Sequence, residues 1–144
     1  MIKFVLMISK SGRTCFARYF EDGQLKAKDR VLLESDLIRT ILARKTKGCS
    51  FFDYQDLKII FRQFASVFII CGVDEEENEI GILEFIQLFV EILDSYFPKV
   101  SDFDVMFNLE KVHIILEEML SNGYITETRK SHILSQLRLM DSNR

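Results

Sequence analysis

The chain is 144 residues long and contains one proline, no tryptophan, two histidines and three cysteines. So little proline beside 48% hydrophobic residues excludes a disordered or low-complexity chain. Cys15, Cys49 and Cys71 are odd in number, far apart and without a C-x-x-C pair. They suit buried or free thiols of a reducing compartment better than a zinc site or a disulfide framework. Basic excess is also lacking. A formal net charge of −3 and a pI near 5.5 argue against a nucleic-acid footprint and against autonomous attachment to acidic lipid. The longest apolar runs, Val67 to Val73 and Leu88 to Leu93, fall well short of the roughly 20 residues that span a bilayer. The run from Phe4 to Ile8 is too short for a signal peptide and no small-residue cleavage site follows, so it reads as a strand of a cytosolic protein.

Chemical signatures are missing in the same way. There is no G-x-S-x-G, no Walker loop and no G-x-G-x-x-G. His113 and His132 each fall on a predicted helix without a cysteine or carboxylate at a recurring ligand spacing. The acidic stretch Asp74 to Glu79 lacks the register of a calcium loop and reads as a turn with negative charge at a helix N-terminus. No catalytic residue, metal ligand or cofactor is expected, and the search leaves a protein that works by binding.

What the sequence does have is Glu79 to Phe97. On a helix, Glu84, Gln87, Glu91, Asp94 and Ser95 gather into one polar stripe and apolar side chains cover roughly 220° of the circumference, twice what an amphipathic surface helix needs. One reading sinks the helix deep in its own domain. The other sets one flank on this chain's sheet and the other on a partner chain, with an apolar patch along the helix when the chain is alone.

Around that helix the chain reads as one domain over residues 1–144. Ile2 to Ile8 is apolar on both alternating faces, Ser9 to Gly12 is a turn, and Arg13 to Phe20 is the return strand, with Arg13, Cys15, Ala17 and Tyr19 on one face. Val31, Leu32, Ser35, Ile38, Ile41 and Leu42 recur at helical spacing between about Lys28 and Ala43. Arg44, Lys45 and Lys47 follow as solvated cations at a helix end, or as a small patch for phosphoinositide or an acidic partner. Ser50 to Tyr54, Leu57 to Gln63 and Ser66 to Val73 form an antiparallel meander. After Pro98, a short helical piece runs from Ser101 to near Phe107. A helix follows Asn108, with Val112, Ile115, Leu116, Met119 and Leu120 inward and Gly123 as its stop, and a last helix capped by Thr128 turns Ile133, Leu134 and Leu137 inward. The fold class is α+β, a five-stranded antiparallel sheet flanked by helices in the order ββαβββααα plus a C-terminal helix.

The opening MIKFVLMISKSGRT, CSFFDYQDLKIIFRQFASVFIICGV from Cys49, ENEIGILEFIQLFVEILDSYF and FNLEKVHIILEEMLSNG from Phe107 together resemble the small (sigma) chains of heterotetrameric adaptor-protein complexes. The similarity runs from Met1 to about Leu139. FNLEKVHIILEEM and the MIKF opening are most similar to the sigma chain of the fourth complex, and ARKTKGCSF is similar to that of the first.

The resemblance implies a longin-like (SNARE-like) fold and a non-catalytic subunit working beside two large adaptin chains and one medium (mu) chain in vesicle-mediated intracellular protein transport. Membrane association would come through the complex, at the trans-Golgi network or on coated vesicles. It implies that Phe85, Leu88, Phe89, Ile92 and Tyr96 face a large chain. It also implies recognition of acidic dileucine sorting signals, [DE]-x-x-x-L-[LI], in cytosolic cargo tails, at Ala65, Val67, Val90, Val100, Phe103 and Val105. Where the family has an arginine on the second strand for the signal's acid, this chain has Cys15; Arg13 on the same strand face, or an arginine of the large chain, is expected to take over. A free-standing longin-like regulator of membrane fusion or of a small GTPase is the alternative.

Overall fold

β1 (Ile2–Ser9) is the middle of the structure because nearly every one of its side chains is apolar and both of its faces are covered. The computed structural model describes residues 1–20, 27–43, 50–64, 66–97 and 108–142. β1 pairs with β2 (Thr14–Tyr19) on one side and β5 (Val67–Val73) on the other; β4 (Leu57–Phe64) and β3 (Ser50–Tyr54) complete an antiparallel sheet in the order β2-β1-β5-β4-β3. This is the predicted five-stranded sheet, and the β3-β4-β5 meander is as expected.

The sheet divides the apolar side chains between two layers. Phe4, Leu6, Ile8, Ile59, Phe61, Phe68 and Ile70 meet Leu33, Leu37, Ile38 and Ile41 of α1 (Ala27–Ala43). Val5, Met7, Ile60, Val67, Ile69, Cys71 and Val73 meet α2 (Glu79–Tyr96), α3 (Leu109–Met119) and α4 (Lys130–Ser142) on the opposite face. In α1 the buried face is rotated from the expected one. Ile38 and Ile41 are inside as predicted, but Leu33 and Leu37 complete the stripe while Val31, Leu32 and Leu42 point to solvent.

The long helix begins where Asn78 accepts a hydrogen bond from the Ile80 N–H at 2.9 Å and ends at Phe97, whose extended backbone (φ −105°, ψ 138°) is the conformation that a following proline imposes. Three acids around the turn before it are met by cations. The Met1 ammonium meets Asp74 at 3.2 Å and also Glu77, Lys3 meets Asp74 at 3.5 Å, and Lys58 meets Glu79 at 2.9 Å.

Three local readings need correction. Met7 pairs with Phe16 but Ile8 pairs with Thr14, so Cys15 is the extra residue of a β-bulge. Cys15 and Phe16 both pack on the α2 side while Ala17 and Tyr19 pack on the α1 side, and Arg13 lies in the turn before β2; the four residues do not share a face. Gly123 does not stop α3, which ends at Met119; Asn122 and Gly123, both at positive φ (49° and 87°), instead turn a small hairpin between β6 (Leu120–Ser121) and β7 (Tyr124–Ile125). The last helix starts at Lys130, two residues after Thr128, with Ile133, Leu134 and Leu137 buried as expected. The predicted helical piece 101–107 and the cations at 44, 45 and 47 lie outside the described residues.

Candidate functional site

One end of the sheet collects the residues expected to read a sorting signal. Here the β1–β2 turn lies against the β4–β5 turn: Ser9 pairs with Val67, and the Lys10 N–H donates to the Ser66 carbonyl at 3.0 Å. The β1–β2 turn is strapped by buried Ser9, whose N–H donates to the Arg13 carbonyl at 2.8 Å and whose Oγ accepts from the Arg13 N–H at 3.2 Å. Lys10 and Arg13 therefore hold fixed places on an exposed turn.

Val67 is fully buried and Val90 nearly so, both in the layer between the sheet and α2. Val90 borders a cavity of about 160 Å³ that Arg62, Gln63, Phe64 and Gln87 complete. Arg62 donates to Gln87 Oε1 at 2.6 Å, and Gln87 donates in turn to Glu91 Oε1 at 3.3 Å. Nothing in the sequence reading marked Arg62. Its signal was the alternation on β4, where Ile60, Arg62 and Phe64 share the face turned to α2. Of the other expected pocket positions, Ala65, Val100, Phe103 and Val105 lie outside the described residues.

Cys15 offers nothing to an incoming acid. Its thiol is buried beneath the sheet's end and lies 3.7 Å from the Arg13 carbonyl. Cys71 is wholly enclosed, and burial pushes its thiol far above the ordinary range. His113 is half-buried against the Phe16 ring, at 4.5 Å between centroids; burial foremost and the positive charge of Arg18 hold its pKa below the usual histidine value, against the pull of Glu117. Among the described residues no three histidine, cysteine or carboxylate side chains gather as metal ligands. Nor is any helix among them long and apolar enough to cross a membrane.

The residues expected to face a large chain divide. Phe85, Phe89 and Ile92 are buried by this chain's own α3, α4 and sheet. Leu88 and Tyr96 are half-buried, and the Tyr96 hydroxyl is engaged by Asp141 of α4, which Lys111 also meets. The expected apolar patch along the helix is absent, because α3 and α4 cover the second flank; Ile80 alone of its large apolar side chains is well exposed. Beside the helix a cavity of about 380 Å³ opens among Gly81, Glu84, Phe85, Leu88, Ile125 and Thr128.

A five-stranded antiparallel sheet with, among the described residues, one helix on one face and three on the other, in this order, is the longin-like architecture. The same fold is found in a chain of a homology model of the full-length AP-3 complex in a stretched open conformation, with a TM-score of 0.75 over 99% of this chain and 95% of that one at 24% sequence identity. The chain belongs to the clathrin adaptor complex small chain family, whose model matches residues 1–144. It is 50% identical to the AP-4 complex subunit sigma-1 of Homo sapiens over 98% of this chain and 96% of that one. Identity to the AP-4 complex subunit sigma of Arabidopsis thaliana is 48% over 97% of this chain and 96% of the relative. It falls to 34% against the AP-1 complex subunit sigma-1A of Homo sapiens, over 98% and 88%. The protein is thus an adaptor-complex sigma subunit of vesicle transport, more similar to these sigma chains of AP-4 than to that of AP-1.

Proposed function

We propose that this chain is the non-catalytic sigma subunit of a heterotetramer of AP-4 type, packed against a large adaptin chain beside a second large chain and a medium chain. It works at the trans-Golgi network, attaches to membranes only through the complex, and helps bind acidic dileucine signals in cytosolic cargo tails. The observation that carries this reading is the identity of about one residue in two with AP-4 sigma subunits over nearly the whole chain.

The pocket end of the sheet supports the dileucine part. Two leucines need adjacent apolar pockets, each worth roughly 1.5–3 kcal/mol when the side chain is fully buried; Val90 borders a cavity at this end, while Val67 is sealed in the core. The signal's acid needs a cation, and Lys10, Arg13 and Arg62 stand around that end.

A tagged pull-down from the protein's own cytosol at physiological salt, read by mass spectrometry, tests the assembly. Two large chains and one medium chain in equal amount are expected. Recovery alone, or with fusion factors or a small GTPase, would replace the adaptor role by that of a free-standing longin-like regulator.

A further inference from the structure

We propose that the groove between α1 and the β3–β4 turn docks a linear segment of a partner protein in which leucine or isoleucine is flanked by lysine or arginine. The groove is separate from the end of the sheet assigned to sorting signals. Ser9 pairs with Val67 at that end, Lys58 pairs with Val73 beside the groove, and β5 from Val67 to Val73 covers about 20 Å.

The cavity there holds about 490 Å³, within the roughly 300–1,000 Å³ of ligand sites. Leu32, Leu33 and Leu57 give it an apolar floor, and Asp29, Asp36 and Asp56 stand around them. The rotation of α1 opens it: Leu33 turns into the core, while Leu32 at 59% exposure stands out toward solvent. The Tyr54 hydroxyl donates to Asp36 Oδ2 at 3.0 Å, which ties the edge strand to the helix and fixes one wall. Among the described residues no cation lines the groove. Only Asp36 of the three acids has a cationic partner among them, exposed Arg39 at 3.6 Å. The nearby cations are committed elsewhere, Arg30 over the Tyr19 ring at 4.3 Å and Lys58 to Glu79 at 2.9 Å.

Carboxylates around an apolar floor select an occupant that is both cationic and apolar. A metal ion does not meet that description, because among the described residues no three histidine, cysteine or carboxylate side chains gather as ligands. Acidic lipid is repelled, and so is a dileucine signal with its own acid. A second copy of this chain would set the same patch against itself across a two-fold axis and bring acids to acids. A peptide whose leucine lies over Leu32 and Leu57 and whose cations stand opposite Asp29 and Asp56 satisfies both the floor and the rim.

The test uses the complex purified through this chain and a panel of labelled nine-residue peptides read by anisotropy. Each has a central leucine pair and two arginines, the arginines set at different distances from the leucines; matched controls carry glutamate for arginine or serine for leucine. The arginine–leucine peptides are expected to bind about tenfold tighter than either control. The double variant Asp29→Asn with Asp56→Asn is expected to bind them about tenfold more weakly at about 0.05 M salt and to differ little from wild type at about 0.5 M. Leu32→Ala is expected to weaken them about fivefold at both salts. All three positions are on the surface, so an unchanged Tm certifies the fold of each variant. An excess of unlabelled Glu-x-x-x-Leu-Leu peptide is expected to leave the binding unchanged. A complex that binds no peptide of the panel, as when a large chain already covers the groove, overturns the proposal. So does binding that the three substitutions leave intact, or that the dileucine peptide displaces. Self-association of the complex that Leu32→Ala abolishes would give the groove to a second copy and overturn it as well.

Discussion

Phe4 and Gly72 face each other across β1 and β5, and the ring of Phe4 occupies the space a side chain at 72 would need. A Cβ there would lie 2.3 Å from two ring carbons, and the ring is buried to 1% exposure against Tyr19. Gly72→Ala is therefore expected to cost about 1–3 kcal/mol of overpacking, with Tm falling by roughly 2–4 °C per kcal/mol. Thermal unfolding checks this, and Phe4→Leu in the same chain should recover part of the loss; an unchanged Tm would mean that the ring yields. His113 gives a pH dependence. Its folded pKa lies below the ordinary 6.5, so the unfolded chain binds the proton more readily. The contribution is present above about pH 6.5 and is lost as pH falls from there toward the folded value. His113→Gln is expected to flatten part of the fall in Tm between pH 7 and 5, and an identical slope in both proteins would deny the histidine this role. At this scale the sequence spoke unevenly. The burial of Val67 and Val90 followed from their apolar runs, but whether Cys15 points in or out depends on one bulge that alternation alone does not reveal.

Helix α2 starts where it does because Asn78 caps it, with its side chain holding the Ile80 N–H and its carbonyl accepting from Ile82 at 3.1 Å. Asn78→Ala is expected to lower stability by about 1 kcal/mol in urea unfolding, and Asn78→Asp, which keeps an acceptor, to stay near the parent. Equal loss in both variants would point to the neighbouring acids instead of the cap. Element boundaries were legible wherever a chemical stop was written into the chain: Pro98 after α2, the turn before β2, the short links of the meander. The hairpin at Asn122-Gly123 was legible too, since Asn-Gly is the strongest two-residue hairpin signal. The strands it joins are two residues each, too short to show alternation, so the same Gly123 also suits a helix stop. What fixes that hairpin is tertiary. The Ile2 N–H donates to the Gly123 carbonyl at 2.7 Å, joining the first strand to a turn more than a hundred residues away, a contact no local pattern encodes.

The width of the apolar arc on α2 was measured correctly from the sequence, but width does not say whose atoms cover it. The buried residues Ile82, Phe85, Ile86, Phe89, Val90, Ile92 and Leu93 span roughly 160° of the helix, and half-buried Leu83 and Leu88 widen this to the full arc. The sheet takes one flank and α3 with α4 takes the other, so the helix has its two bodies within its own chain. Which helices return to cover it is decided by the path after Phe97, where amphipathic pattern gives each helix a face but no address. A subunit whose central helix depended on a large chain would have no stable fold alone; here the apolar arc of α2 is buried against this chain's own sheet, α3 and α4. Amide hydrogen exchange on the isolated chain is expected to place the amides of Ile86 to Leu93 among the slowest, opening only at free energies near the global stability, and joining the complex should slow them little further. Rapid exchange there in the isolated chain, arrested only when a large chain is added, would return the second flank of α2 to the partner.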